Sequence, residues 1–233
     1  MFIDLHHLLY VFLPCLALSL IATIWVKASF ARWSKVENQQ GITGAEAARV
    51  ILKSAGIQDV QVEEVDGFLS DHYDPRQNVL RLSSENYQGR SIAAVGVAAH
   101  EAGHAIQHAT GYAPLAIRNL AVPMASIGSS LGYFVLMIGI FVMGAKLNPV
   151  TIVGLGLIAA VALFQLINLP VEFDASARAV KLLPSIGILS QEENVGVRKM
   201  LRAAAFTYVA ATVAAVAELA YWFLRLSGNS RSS

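Results

Sequence analysis

The stretch "SIAAVGVAAHEAGHAIQHATG", residues 91 to 111, decides how the rest of the chain is read. It carries one acid and three histidines on an otherwise apolar background, and Gly111 and Pro114 follow as helix-stopping residues. Read as a membrane span, it would make five spans and reverse the side of everything downstream. The expectation is a buried core helix, which leaves four.

Inside it stands "HEAGH", residues 100 to 104. His100 and His104 are four residues apart, so on a helix both imidazoles leave one face about 6 Å apart along the axis and can converge on one metal ion. Glu101 follows the first histidine, where its carboxylate can reach a water at the metal without being a ligand, as a general base must. Ala102 and Gly103 are expected to leave room for metal and substrate. Six histidines and ten glutamates in 233 residues predict roughly 0.006 chance matches to this pattern, so it is informative. The competing reading, two core histidines beside a surface glutamate, would leave Glu101 as an unpaired charge on an apolar helix.

His108 continues the four-residue spacing but lies about 12 Å along the axis from His100, too far for one ion. Zinc proteases that use a third histidine break the helix at a glycine, and "AIQ" offers none. His108 is therefore expected to play a supporting or surface role, and His72 is likewise not expected to bind metal. A catalytic zinc takes three protein ligands plus water, and the best third candidate is Glu172 in "LPVEFDASARA", residues 169 to 179. Asp174 competes for that role. The bland alternative makes both of them solvated charges at a membrane edge.

The composition is 55% hydrophobic and 14% charged, against roughly 25% charged in an average soluble domain, which points to the membrane. A net charge of +1 and the lack of a basic tract interleaved with aromatics set nucleic acid aside as a partner. Cys15 is the single cysteine, so neither an intrachain disulfide framework nor a cysteine-based zinc site is available.

Four windows are long and apolar enough to cross a bilayer: residues 8–26, where Pro14 is expected to kink the helix, 121–143, 150–169 and 204–224. Only "GAKLN", residues 144 to 148, separates the second from the third, so these two form a tight hairpin. The leading "MFIDLHH" lacks Lys and Arg and carries Asp4, unlike a signal peptide, and the first window reads as a retained anchor. Nine Lys and Arg fall in residues 27–118, five in 171–204, and only Lys146, Arg225 and Arg231 elsewhere. The positive-inside rule then puts the two basic segments in the cytoplasm and both termini outside, in a multi-pass protein of the bacterial inner (plasma) membrane.

The expected fold class is an α+β integral membrane protein with a small cytoplasmic module. Residues 1–26 are the anchor, 27–118 the module, 119–170 the hairpin, 171–203 a cytoplasmic segment with the third ligand, and 204–233 the last span and tail. In the module, "TGAE" at 43–46 is a capping box for a helix with Ala47, Val50, Ile51 and Leu52 on its apolar stripe, closed by Gly56. "DVQVEEV", "GFLSDHY" and "VLRLS" read as strands, the last half-exposed and at the sheet edge, with "DPRQN" as turn chemistry. "SQEE" at 190–193 caps a helix that continues into the fourth span. The small residues on that span suit close packing, either within the chain or in a homo-oligomer. Glu218, deep in the same span, is expected to pair within the bundle or to mark another function.

Taken together, "VAAHEAGHAIQH", "DHYDPRQNVLRLS" and "LPVEFDASARA" resemble the YugP-like neutral zinc metallopeptidases of bacteria over nearly the whole chain. More distantly the chain resembles the HtpX-like membrane proteases, gluzincins whose third ligand is the glutamate of an E-x-x-x-D pattern. The resemblance implies zinc held by His100, His104 and Glu172, with Glu101 as the catalytic base. Where that pattern has its aspartate this chain has Ser176, which leaves Asp174 and Ser176 as alternative partners for a zinc histidine. The expected activity is peptide-bond hydrolysis on protein or peptide substrates at the membrane face, with Arg178 or Arg118 steadying the oxyanion and "VLRLS" holding substrate as an added strand. Two rivals are a site-2-type intramembrane protease, whose L-D-G motif is absent from the sequence, and a metal-binding scaffold without activity.

Overall fold

The computed structural model describes residues 5–67 and 70–231. Asp4, Phe68 and Leu69 of the expected second strand, and the last two residues of the tail lie outside the described residues. In chain order the elements are α1 (Leu5–Trp33), α2 (Gly44–Ser54), β1 (Gln61–Val65), β2 (His72–Asp74), β3 (Val79–Ser83), α3 (Ser84–Gln88), α4 (Ile92–Ala109), α5 (Ala113–Met143), α6 (Pro149–Ser185) and α7 (Gln191–Arg231). Among the described residues four helices, α1, α5, α6 and α7, are long and apolar enough to cross a membrane. Each contains one of the four expected windows and runs beyond it. That overrun matters for α6, which continues past the apolar stretch and carries Glu172.

The chain divides into two compact units. One comprises Ala22–Ala116 and Pro170–Phe206; the other comprises the described parts of Met1–Ile21, Ile117–Leu169 and Thr207–Ser233. In the first unit α2 begins at a complete capping box: Thr43 Oγ1 accepts from the Glu46 amide at 3.2 Å and the Thr43 amide donates to Glu46 Oε2 at 2.7 Å. Gly56, with φ +75°, closes the helix in a left-handed conformation that suits glycine. Ala47, Ile51 and Leu52 are buried as expected, but Val50 is 45% exposed and Ala48 takes its place inside. The apolar face of α2 is thus rotated slightly from the predicted stripe.

The sheet corrects the strand reading. Its order is β1-β3-β2, with β1 parallel and β2 antiparallel to β3, so "VLRLS" is the central strand and has no free edge for a substrate. The alternation that suggested a half-exposed strand came from Arg81. Its charge is met across the sheet, with Glu63 on β1 at 3.4 Å and Asp74 on β2 at 3.7 Å. Leu80 and Leu82 are fully buried.

Helix α4 is the core helix of this unit. Ser91 caps it by accepting from the Ala94 amide at 3.0 Å, and Gly111, at φ +63°, follows its end. Ala93, Val95, Ala98, Ala99 and Ala102 are buried in one cluster with Ile51, Leu80, Leu82, Leu183 and Val197. Helix α7 enters through a second capping box, in which the Ser190 amide donates to Glu193 Oε2 at 2.8 Å and Ser190 Oγ accepts from the Glu193 amide at 3.2 Å. It then runs unbroken for 41 residues.

In the second unit α5 and α6 form the hairpin. A Cβ on Gly154 would stand 2.6 Å from the Leu136 backbone, and one on Gly128 would stand 2.4 Å from the Leu157 carbonyl oxygen, so the two helices approach at a distance only glycine permits. Asn148 caps α6, its Oδ1 accepting from the amides of Val150 and Thr151 at 3.0 and 2.9 Å. Just ahead of Pro14, residues 8–12 form a π-turn in α1, where proline's missing N–H and its ring disturb the regular ladder.

Candidate metal centre

Close contact between α4 and α6 builds the site. A Cβ on Gly103 would lie 2.8 Å from the Ala175 carbonyl oxygen and 3.2 Å from its Cα, so this glycine lets the two backbones touch. Ala102 is fully buried in the core. The small residues between the histidines therefore serve helix packing, where the sequence suggested room for metal and substrate.

That contact brings His100 and His104 of α4 against Glu172 of α6. Glu172 Oε2 lies 3.3 Å from His100 Nε2 and 3.7 Å from His104 Nε2. The imidazole centroids are 4.8 Å apart with planes at 82°. One ligand atom from each residue lies within 4.8 Å of the other two, so the group could hold a metal ion.

Glu172 Oε2 is buried and has no hydrogen-bond partner. An orphaned carboxylate oxygen costs several kcal/mol unless a cation meets it, and this one faces two imidazole nitrogens. Two imidazoles and a carboxylate are also a donor set that suits zinc. The residues present therefore fit the ion. Burial alone would push the Glu172 carboxyl up, but the two imidazoles beside it outweigh that and hold it far below the usual carboxylate range. Burial would likewise push the His104 imidazole down, yet the carboxylates of Glu172 and Glu101 and the Gln107 amide hold it above its ordinary value.

Gln107 supports His104 and was not expected from the sequence. It is fully buried; its Nε2 donates to the Val171 carbonyl and to Asp174 Oδ2, both at 2.8 Å, and its Oε1 lies 2.9 Å from His104 Nδ1. Both amide protons are committed to acceptors, so Oε1 must accept and His104 Nδ1 must donate. This leaves the Nε2 lone pair of neutral His104 facing Glu172, the tautomer a metal requires. Asp174 is in turn held by Arg178 Nε at 2.5 Å, and that guanidinium lies over the Tyr112 ring, 5.8 Å from its centroid. Ser176 Oγ is 3.2 Å from His100 Nδ1. Both alternatives left by the sequence are thus used: Ser176 touches His100 directly, and Asp174 reaches His104 through Gln107. A polar residue three positions after His104, on the same face of an apolar helix, was the signal for Gln107.

Glu101 is buried beside this group, and its charge acts on His104. His108 lies elsewhere, with Nδ1 2.8 Å from the Tyr73 hydroxyl of β2. His72 is exposed, its Nδ1 2.7 Å from the Ser70 carbonyl oxygen. Arg118 belongs to the other unit, as does Glu218, which pairs with His7 at 2.9 and 3.1 Å.

Over residues 8–227 the sequence matches the family described as "Putative neutral zinc metallopeptidase". This chain is a member of that family. It is also 45% identical over 216 residues to the "Putative membrane protease YugP" of Bacillus subtilis (strain 168), covering 91% of this chain and 94% of that protein. No solved structure matches it. The family implies zinc, and together with the four apolar helices the relative makes this a membrane protein.

Proposed function

We propose that the protein is a membrane zinc metalloendopeptidase acting at the cytoplasmic membrane face, with His100, His104 and Glu172 as ligands and Glu101 as general base. The observation that carries this reading is the buried, unpartnered Glu172 Oε2 facing His100 Nε2 and His104 Nε2 beside a second buried carboxylate, Glu101. A zinc ion in that position would supply Lewis-acid polarisation of the scissile carbonyl and of the attacking water.

The chain's own residues do the rest. Glu101 takes a proton from the water as its oxygen bonds to the carbonyl carbon, and returns that proton to the amine as the C–N bond breaks. Gln107 keeps His104 in the neutral, Nδ1-protonated form, and Ser176 orients His100. Arg178, engaged by Asp174 and Tyr112, braces this network, which favours a supporting role over the oxyanion role expected from the sequence. An extended substrate that adds to the sheet would use β2, which among the described residues pairs only with β3 and touches α4 through Tyr73 and His108.

In this reading residues 27–118 form the catalytic module and 171–203 complete it. The basic segments support a cytoplasmic site, which a reporter fused at Ser233 checks: a signal active only in the cytoplasm would contradict it. The enzyme is tested by casein cleavage with purified wild type and Glu101→Gln. Cleavage should fall by about 10²- to 10⁴-fold with zinc content unchanged; full turnover in the variant overturns the base assignment.

A further inference from the structure

A second feature lies outside the metal centre. Trp25, Ser29, Arg32 and Trp33 of α1 and Lys199 and Arg202 of α7 line an open cleft of about 480 Å³. All six belong to one compact unit. The wall is built, not incidental: Gly196 lets the Trp33 ring sit against α7, where a Cβ would come within 2.7 Å of it. Arg32 lies over that ring, 5.2 Å from its centroid, and Trp25 meets Phe206 edge-on at 5.4 Å.

The cleft brings together three cations and no acid. Among the described residues none of Arg32, Lys199 and Arg202 takes part in an ion pair with a carboxylate. Like charges around one concavity repel unless an anion enters, and arginine together with lysine is the combination that holds a phosphate. The position narrows the source of that phosphate. In sequence the cations flank the apolar windows of α1 and α7, at 8–26 and 204–224, at the level where lipid headgroups begin. Next to them on α1, Ile24 and Trp25 are exposed, at 66% and 47%, in the interfacial position that tryptophan favours. A free phosphate would use only the cations; a phospholipid also covers the apolar residues.

We propose that this cleft is a binding site for an anionic phospholipid, with the phosphodiester between Arg32, Lys199 and Arg202 and the acyl chains along Ile24 and Trp25. The site is independent of the protease reading.

The test is native mass spectrometry of the full chain in detergent, titrated with phosphatidylglycerol, phosphatidylcholine or inorganic phosphate. Wild type should retain phosphatidylglycerol at least about tenfold more tightly than phosphatidylcholine, and excess inorganic phosphate should not displace it. The triple variant Arg32→Gln, Lys199→Gln, Arg202→Gln should lose that preference at an unchanged melting temperature. The charge-keeping triple Arg32→Lys, Lys199→Arg, Arg202→Lys should retain most of it, which guards against misfolding of the neutral variant. A control triple at Lys53, Arg76 and Lys181 should behave as wild type. Equal binding of the two lipids, a preference that survives the neutral triple, or displacement by phosphate alone would each overturn the proposal.

Discussion

Two clusters of histidine and glutamate lie among the described residues, one part-buried and one largely buried, and they have opposite character. In one unit His7 meets both oxygens of Glu218, at 3.1 and 2.9 Å, with the rings of Tyr221 and Trp222 packed 4.7 and 5.5 Å from its own. In the other, Glu172 faces two imidazoles without hydrogen-bonding either, and one of its oxygens has no partner. The first is a satisfied polar pair, which a helix bundle uses for cohesion. The second has three converging ligand atoms and a buried carboxylate oxygen without a partner, which is what a metal requires. Residue type does not separate the two groups; the number of ligand atoms that converge does.

The comparison breaks most sharply at the carboxylates. Glu172→Ala should abolish stoichiometric zinc binding, whereas Glu218→Ala should leave zinc content unchanged and lower only the melting temperature. Zinc retained in the first variant would erase the distinction. Next in size is Gln107→Leu, which frees His104 to rotate and to take the other tautomer. Zinc affinity should fall about 10- to 100-fold, read by competition with a chromogenic chelator; an unchanged affinity would remove Gln107 from the network. Gly103→Val should act through packing, since its first added carbon already meets the Ala175 backbone. Overpacking of this kind costs about 1–3 kcal/mol, seen as a lower melting temperature together with weaker zinc binding. Stability lost with zinc affinity intact would mean that the α4–α6 contact does not shape the site.

The metal-free and zinc-loaded forms should respond to pH in opposite directions. The raised His104 contributes stability to the metal-free form below the ordinary imidazole value of about 6.5, and this is lost as pH rises through its higher folded value. The depressed Glu172 contributes above the ordinary carboxylate value of about 4.3, and this is lost only as pH falls through its lower one. Metal-free protein should therefore gain most from this pair between those two values and weaken above neutrality. Zinc needs a neutral imidazole, so its stabilisation should grow over the same rise. Melting curves with and without chelator across that range should diverge; parallel curves would contradict the pairing. The smallest expected effect is at Ser176. Ser176→Ala should weaken zinc only a few-fold, and Ser176→Asp should strengthen it through a charge-assisted bond to His100 Nδ1.

Much of this was legible because it is local. The capping boxes at Thr43 and Ser190, the stops at Gly56 and Gly111, the spans and the i,i+4 histidines all follow from short-range spacing. Glu172 was found from its position just past a span and from the hairpin that precedes it. What failed depends on partners distant in sequence. Arg81 imitated a solvent-facing position because its two carboxylate partners lie on neighbouring strands. Gly103 was taken for open space until the Ala175 backbone was seen against it. His108 continued a metal-like spacing but is held by Tyr73 from another element. Gln107 was passed over because an uncharged side chain between histidines carries no metal signature of its own.

The central claim is that His100, His104 and Glu172, and no other histidine–glutamate group among the described residues, form the zinc site. X-ray absorption on the purified, zinc-loaded full chain tests it directly, together with metal content of Glu172→Ala and Glu218→Ala. The account predicts one zinc per chain with two imidazole nitrogens and carboxylate oxygen in its first shell, lost in Glu172→Ala and kept in Glu218→Ala. A wild type without stoichiometric zinc, or a zinc shell unchanged by Glu172→Ala, would contradict it.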